Sequence, residues 1–414
     1  MLRSTLAKRI SHEPSGRIAP GPRLWGSGWM TSRERLLLAL RHQVPDYVPV
    51  SPDVSNMMPA RYTGKPFWEV YVNENPPMWQ AHLDLQRRFG YDMVMGVALG
   101  NSPNDPPSER TVLTKNDDAW IVEEVIHTRR GDLSIRTQFP RDRSPWVVKP
   151  IITDPEAEEA ALLATLTDPW TKDASEARAV KAAVADRGII CSGLPVPLAW
   201  WLYQRRHLDQ AVLDFYDRPQ LVERILAAYS EWALEALKAM ASLIKPDMFM
   251  FGGSVASMSV VSPALYRRYA FPFLCEAVQI ARSNGVLTGV HMCGRCGDAL
   301  DMLAEAGVDM VEPLESPPGG DVSLAEVKRR YGARLCLKGN VNTFQTLARG
   351  TPEDVVAEAR QCMVDAGDGG GFILSTGDQV PGDTPEANFV ALISAARRYG
   401  VYARDGSLPI LASV

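Results

Sequence analysis

Much of what would place a protein quickly is missing from this chain. No apolar stretch approaches the roughly 18 residues that a membrane-spanning helix needs, so no membrane protein is expected. Cysteine is scarce: Cys191, Cys275, Cys293, Cys296, Cys336 and Cys362 are spread thinly over 414 residues. Such spacing is no disulfide framework, and a reducing cytoplasm is the expected setting. The body of the chain holds no basic block and the net charge is −5, so nucleic acid is not an expected partner. Internal repeats and low-complexity tracts are also lacking in the body. Residues 1–29 have no apolar core of the kind a secretory signal needs. They carry Arg3, Lys8, Arg9, Arg17 and Arg23 against the single acid Glu13. This segment reads as a disordered extension, or as upstream sequence included by an early start, with one domain expected over 30–414.

From about residue 45 the pattern becomes regular. Short apolar runs at 48–54, 92–99, 188–196, 247–254, 286–293, 309–314, 335–341 and 372–379 alternate with amphipathic segments of helical period. The runs are continuously apolar, as befits strands buried on both faces. Several helical segments open with Ser-Pro or Thr-Pro, a cap followed by proline in the first turn. Thr31 or Ser32 can cap a first helix running through Leu40. Eight strand–helix units predict an α/β fold, a (β/α)8 TIM barrel. Residues 119–126 and 133–139 alternate instead, with a turn between them, and predict a β-hairpin inserted after the second strand. Trp200-Trp201-Leu202-Tyr203 either packs in the core or walls a pocket.

Chemistry in such barrels collects at the C-terminal ends of the strands. Those ends carry Asp53, Asn101, Gly252-Gly253, His291 and Cys293, Glu312, Lys338-Gly339-Asn340 and Asp378-Gln379. The sharpest of these is His291-Met292-Cys293. In a strand, residues two apart share a face, so an imidazole nitrogen and a thiolate can converge on one borderline cation such as zinc. A catalytic zinc has three protein ligands and an open position. The first candidate for the third ligand is Asp378, at the end of the eighth strand, with Cys296 and Glu312 as rivals. Cys296 stands where a helix starts, which would lower its thiol pKa. Glu312 and Asp378 are also the expected catalytic carboxylates. Gly252, Gly253, Lys338, Asn340 and Gln379 are candidates for holding a cofactor or substrate; Lys338 could instead pair with Glu312.

Several segments together resemble the uroporphyrinogen decarboxylase superfamily over nearly all of 30–402. They are Arg33-Glu34-Arg35-Leu36, His42-Gln43-Val44-Pro45-Asp46-Tyr47-Val48-Pro49, Ser262-Pro263-Ala264-Leu265-Tyr266-Arg267-Arg268-Tyr269, His291-Met292-Cys293-Gly294, Ala306-Gly307-Val308-Asp309, Ser375-Thr376-Gly377-Asp378 and Thr384-Pro385-Glu386-Ala387-Asn388. The resemblance implies one of two chemistries. True decarboxylases carry an N-terminal arginine clamp for tetrapyrrole carboxylates. Here the comparable stretch is Ser55-Asn56-Met57-Met58-Pro59-Ala60-Arg61-Tyr62, and most of that clamp is gone. A substrate with many carboxylates needs such bidentate cations. The methyltransferase branch carries a His-x-Cys and a second cysteine near strand eight, which bind Zn2+ for methyl transfer from a methylcorrinoid. This chain keeps His291 and Cys293 but has Asp378 where that second cysteine would stand.

The resemblance therefore implies a zinc-dependent methyltransferase, or a demethylase component. Its partners would be a small-molecule methyl acceptor or donor and a corrinoid protein carrying methylcobalamin. A carboxylate in place of a thiolate makes the metal a stronger Lewis acid, so an oxygen-containing substrate also suits the site. A metal-independent decarboxylase of a porphyrinogen or small aromatic acid is the alternative, with Asp53 or Asp378 binding pyrrole-like N–H groups. A non-catalytic corrinoid- or tetrapyrrole-binding protein is a third. Barrels of this kind often pair, and the 266–269 helix could contribute to a homodimer.

Overall fold

A computed structural model of the protein describes residues 29–412 apart from 204. Of the extension expected over 1–29, residues 1–28 lie outside these residues. Seven of the eight expected barrel strands form one parallel sheet: β1 (Met93–Gly96), β6 (Gly188–Ser192), β7 (Met248–Gly252), β8 (Leu287–His291), β9 (Met310–Glu312), β10 (Cys336–Val341) and β11 (Phe372–Thr376), hydrogen-bonded in that order. β10 and β11 are buried throughout, as continuous apolar runs require. Helices separate successive strands, the longest being Pro219–Leu243.

The expected strand at 48–54 departs from the reading. It is an extended segment with a single parallel bridge, Val50 to Leu374. The Leu374 amide donates to the Pro49 carbonyl and the Ser51 amide donates to the Leu374 carbonyl, while the Asp92 amide donates to the Val50 carbonyl. The segment thus touches both edges of the sheet. Pro45, Pro49 and Pro52 interrupt it, and proline brings no N–H to a ladder.

The insertion is larger than a hairpin. The two expected strands are present as β3 (Ala119–Thr128) and β4 (Gly131–Pro140), joined by a turn at Arg129-Arg130. β2 (Ser108–Lys115) and β5 (Trp146–Lys149) flank them in an antiparallel sheet ordered β2-β3-β4-β5. Every residue of β2 is exposed, so it carries no apolar alternation by which to recognise it.

The helix Ser32–Leu40 is capped by Thr31, whose side chain and that of Glu34 satisfy each other's backbone amides. Its Leu36, Ala39 and Leu40 cluster with Ile189, Met248, Met310, Cys336 and Ile373, residues at or near the starts of the strands. The helix plugs the N-terminal end of the sheet. Arg35 fastens it there: its Nε lies 2.7 Å from Asp46 and its Nη1 2.7 Å from Asp92, all three groups buried. Polar side chains are left to gather at the opposite end. Trp201 is fully buried and Trp200 stacks on Tyr229 at 4.2 Å, so this aromatic pair is core. Tyr266 is also fully buried, and Arg267 and Arg268 pair with Glu305 and Glu223. No helix among the described residues is long and apolar enough to cross a membrane.

Candidate metal centre and adjoining cavity

β8 ends at His291, in register with Gly252 of β7 on one side and Glu312 of β9 on the other. The next two residues lie beyond the strand. Met292 turns into the core, fully buried, and Cys293 returns to the side of His291. Gly294 then takes φ +80°, where a Cβ would stand 2.5 Å from the Ser259 hydroxyl oxygen. Only glycine serves that turn. Its amide donates to Glu315, which fixes the end of the His-x-Cys segment.

Asp378 arrives from β11, two residues beyond Thr376. One ligand atom each from His291, Cys293 and Asp378 lie within 4.8 Å of one another. Asp378 Oδ1 stands 3.8 Å from His291 Nε2 and is buried with no hydrogen-bond partner. A buried carboxylate oxygen left unpaired is costly, and a cation shared with His291 and Cys293 would satisfy it. Imidazole, thiol and carboxylate are an acceptable donor set for zinc. On these grounds the residues fit the metal.

The other imidazole nitrogen is already committed. Nδ1 lies 3.1 Å from Glu312 Oε1, while the other Glu312 oxygen pairs with the Lys338 ammonium. Both partners of that pair are buried. Burial alone would raise the Glu312 pKa, but Lys338 and His291 outweigh it and hold it at about 2. Burial likewise opposes the charged imidazole. The contact with Cys293 and the carboxylates of Glu312 and Asp53 prevail, and His291 stands well above its usual pKa. Asp378 is raised, first by burial and then by the neighbouring charges of Asp53 and Glu312. The site is rich in anions and short of a cation.

Glu312 thus takes the place of an orienting group behind His291, the common companion of a metal-bound imidazole. Cys296 is a correction. Its thiol is fully buried and burial pushes its pKa up to about 12, not down, with Asp321 and Glu315 adding to the rise. The Asp321 carboxylate takes the Cys296 and Gly297 amides at 2.9 and 3.0 Å, so a side chain cancels the local excess of N–H groups. Lys338 is spent on Glu312. Asn340 donates to the Leu314 carbonyl at 2.7 Å and receives the Cys362 thiol at 3.4 Å. Gln379 is exposed. A Cβ at Gly252 would meet nothing within 4 Å, whereas at Gly253 it would lie 3.2 Å from the His291 carbonyl oxygen. Gly253 therefore lets its loop close against β8.

Beside this centre lies a cavity of about 450 Å3. Its floor includes Glu312 and Lys338, and its walls include Asp53, Trp79, His82, Tyr91 and the methionines of β1, Met93 and Met95. His291, Cys293 and Asp378 are not in its wall; the cavity meets the centre through Glu312. Trp79 and His82 were not legible as site residues. They lie three apart on the helix Met78–Phe89, and so on one face, but that spacing marks ordinary core helices equally well.

Comparisons with known proteins bear on the family and the fold. A family model described as Uroporphyrinogen decarboxylase (URO-D) matches residues 115–399. The chain is 27% identical over 146 residues to the methylcobamide:CoM methyltransferase MtbA of Methanosarcina mazei, covering 35% of this chain and 40% of that protein. It is 29% identical over 183 residues to the methylcobamide:CoM methyltransferase MtaA of Methanosarcina barkeri, covering 44% and 50%. In these two matches the chain spans half or less of the relatives' own length. With the uroporphyrinogen decarboxylase of Paraburkholderia phytofirmans it shares 25% identity over 313 residues, 70% of this chain and 80% of that protein. A solved structure of a methyltransferase from Methanosarcina mazei superposes with a TM-score of 0.62 at 20% identity, covering 89% of this chain and 98% of that one, a likeness of fold.

Proposed function

This chain belongs to the uroporphyrinogen decarboxylase family, which matches well over half of it, and from that premise we propose that it is a zinc-dependent methyltransferase, or the demethylating component of one, working with a methylcorrinoid protein. The observation that carries this reading is the convergence of His291, Cys293 and Asp378 to within 4.8 Å, with a buried Asp378 oxygen that has no other partner.

His291, through Nε2, Cys293 and Asp378 would hold the zinc. When bound, such an ion lowers the pKa of a substrate thiol or hydroxyl and keeps its anion ready as nucleophile. Glu312 accepts the Nδ1 proton of His291 and so fixes which nitrogen faces the ligand position. Lys338 keeps Glu312 anionic in a buried setting. The cavity would take the small molecule, and a methylcobalamin-bearing partner would present its methyl group at the open end of the strands. Methylcobalamin would supply the methyl group; this chain's own part is the His291, Cys293 and Asp378 trio, the Glu312–Lys338 pair behind His291, and the adjoining cavity.

The test follows loss of methylcobalamin absorbance in the presence of a panel of small thiols and phenols. Demethylation that disappears with a chelator and returns with zinc supports the reading. Turnover indifferent to chelation contradicts it. The long alignment with uroporphyrinogen decarboxylases favours a second reading, a metal-independent carboxy-lyase. Formation of coproporphyrinogen from uroporphyrinogen by the purified protein would establish that reading instead.

A further inference from the structure

The cavity has an unusual balance of charge. Three carboxylates line it: exposed Glu176 on the helix Ser175–Val184, half-buried Asp53 on the extended segment, and buried Glu312 at the end of β9. The only lysine or arginine among the described lining residues is Lys338, and Glu312 already holds it. Burial keeps His82 uncharged at neutral pH, its pKa drawn down to about 4. The rest of the wall includes the soft, polarisable side chains of Met95, Met250 and Met310 and the indole of Trp79. Tyr91 also lines the cavity, and its hydroxyl is buried with no hydrogen-bond partner.

We propose that this cavity binds a small substrate bearing an ammonium group, and that it turns away carboxylates and sulfonates. A neutral occupant would strip water from Asp53 and return nothing for it, which is costly for a charge. An anion would face Asp53, Glu176 and Glu312, while Lys338, the one lysine in the wall, already pairs with Glu312. An ammonium ion instead replaces the lost water at Asp53, and Trp79 offers it an aromatic face. Asp53 Oδ1 accepts the Ser55 amide at 2.9 Å, so the carboxylate is held in place. The proposal deepens the methyl-transfer reading and rests on it for which end of the substrate reacts; the preference for positive charge requires no metal.

Titration calorimetry on the full chain, zinc-free and zinc-loaded, tests this with three probes of one shape: choline, its neutral isostere 3,3-dimethyl-1-butanol and the anion 3,3-dimethylbutanoate. Choline is expected to bind about tenfold more tightly than the alcohol, and butanoate not measurably. Asp53→Asn, which keeps the oxygen that meets Ser55, should erase the difference, and Asp53→Glu should restore part of it. Glu176→Gln, at an exposed position that folding does not need, should weaken choline alone by about twofold. Equal binding of alcohol and choline, binding of butanoate, a preference that survives Asp53→Asn, or no binding by any probe overturns the proposal. Because no probe carries a thiol and both metal states are measured, a missing zinc site leaves the charge preference standing, and a missing preference leaves the metal reading standing.

Discussion

Glu312 receives His291 on one oxygen and Lys338 on the other, and the distinction between a ligand and its support turns on that arrangement. Glu312→Gln keeps the size but loses the charge that fixes the imidazole. Zinc affinity, read by competition with a chromophoric chelator, should fall about 10–100-fold; an unchanged affinity would mean that Glu312 does not orient His291. Gly294→Ala places a Cβ against Ser259 in a left-handed turn. It should cost more than about 1 kcal/mol in denaturant unfolding, and no loss would show that the turn relaxes freely. His291 and Cys293 were legible because strand alternation is local, and Asp378 because strand ends are. Glu312 as support for His291 was not, since it follows from the register of β9 against β8, a non-local fact. Cys296 misled because a helix start predicts a lowered thiol pKa, and nothing in the sequence showed that Asp321 would take the free amides and that the thiol would be buried.

Among the elements, the first helix has the largest task relative to its length. Nine residues, Ser32–Leu40, plug one end of the sheet, and Arg35 holds the plug through two buried aspartates. Arg35→Ala leaves Asp46 and Asp92 buried without their cation. The expected loss is about 3–5 kcal/mol of stability, measured by urea unfolding; a loss below about 1 kcal/mol would show that the triad is solvated. Seven parallel strands could be read from apolar runs alone. The segment at 48–54 could not, because its valines promise a strand while Pro49 and Pro52 remove the donors a ladder needs. β2 escaped notice for the opposite reason: it pairs with β3 yet exposes every side chain, and pairing without burial leaves no hydrophobic period.

At the scale of the whole molecule, the plugged end directs chemistry to the other, where metal centre and cavity lie together. The parallel α/β sheet was legible from its apolar runs; the cavity was not, because its wall draws on the segment at 51–56, the helix Met78–Phe89 and several strands. Three carboxylates and one committed lysine make it a poor host for a polycarboxylate tetrapyrrole. Incubation with uroporphyrinogen should therefore yield no coproporphyrinogen above the rate without protein, and steady production would contradict the substrate reading. The chemistry at the strand ends depends on three side chains sharing one zinc ion. X-ray absorption at the zinc edge on the metal-loaded protein examines that sharing. The expected result is about one zinc per chain with a single sulfur at about 2.3 Å and the remaining ligands nitrogen or oxygen at about 2.0–2.2 Å, the sulfur disappearing in Cys293→Ser. A protein that takes up no zinc, or a sulfur signal that survives Cys293→Ser, would contradict it.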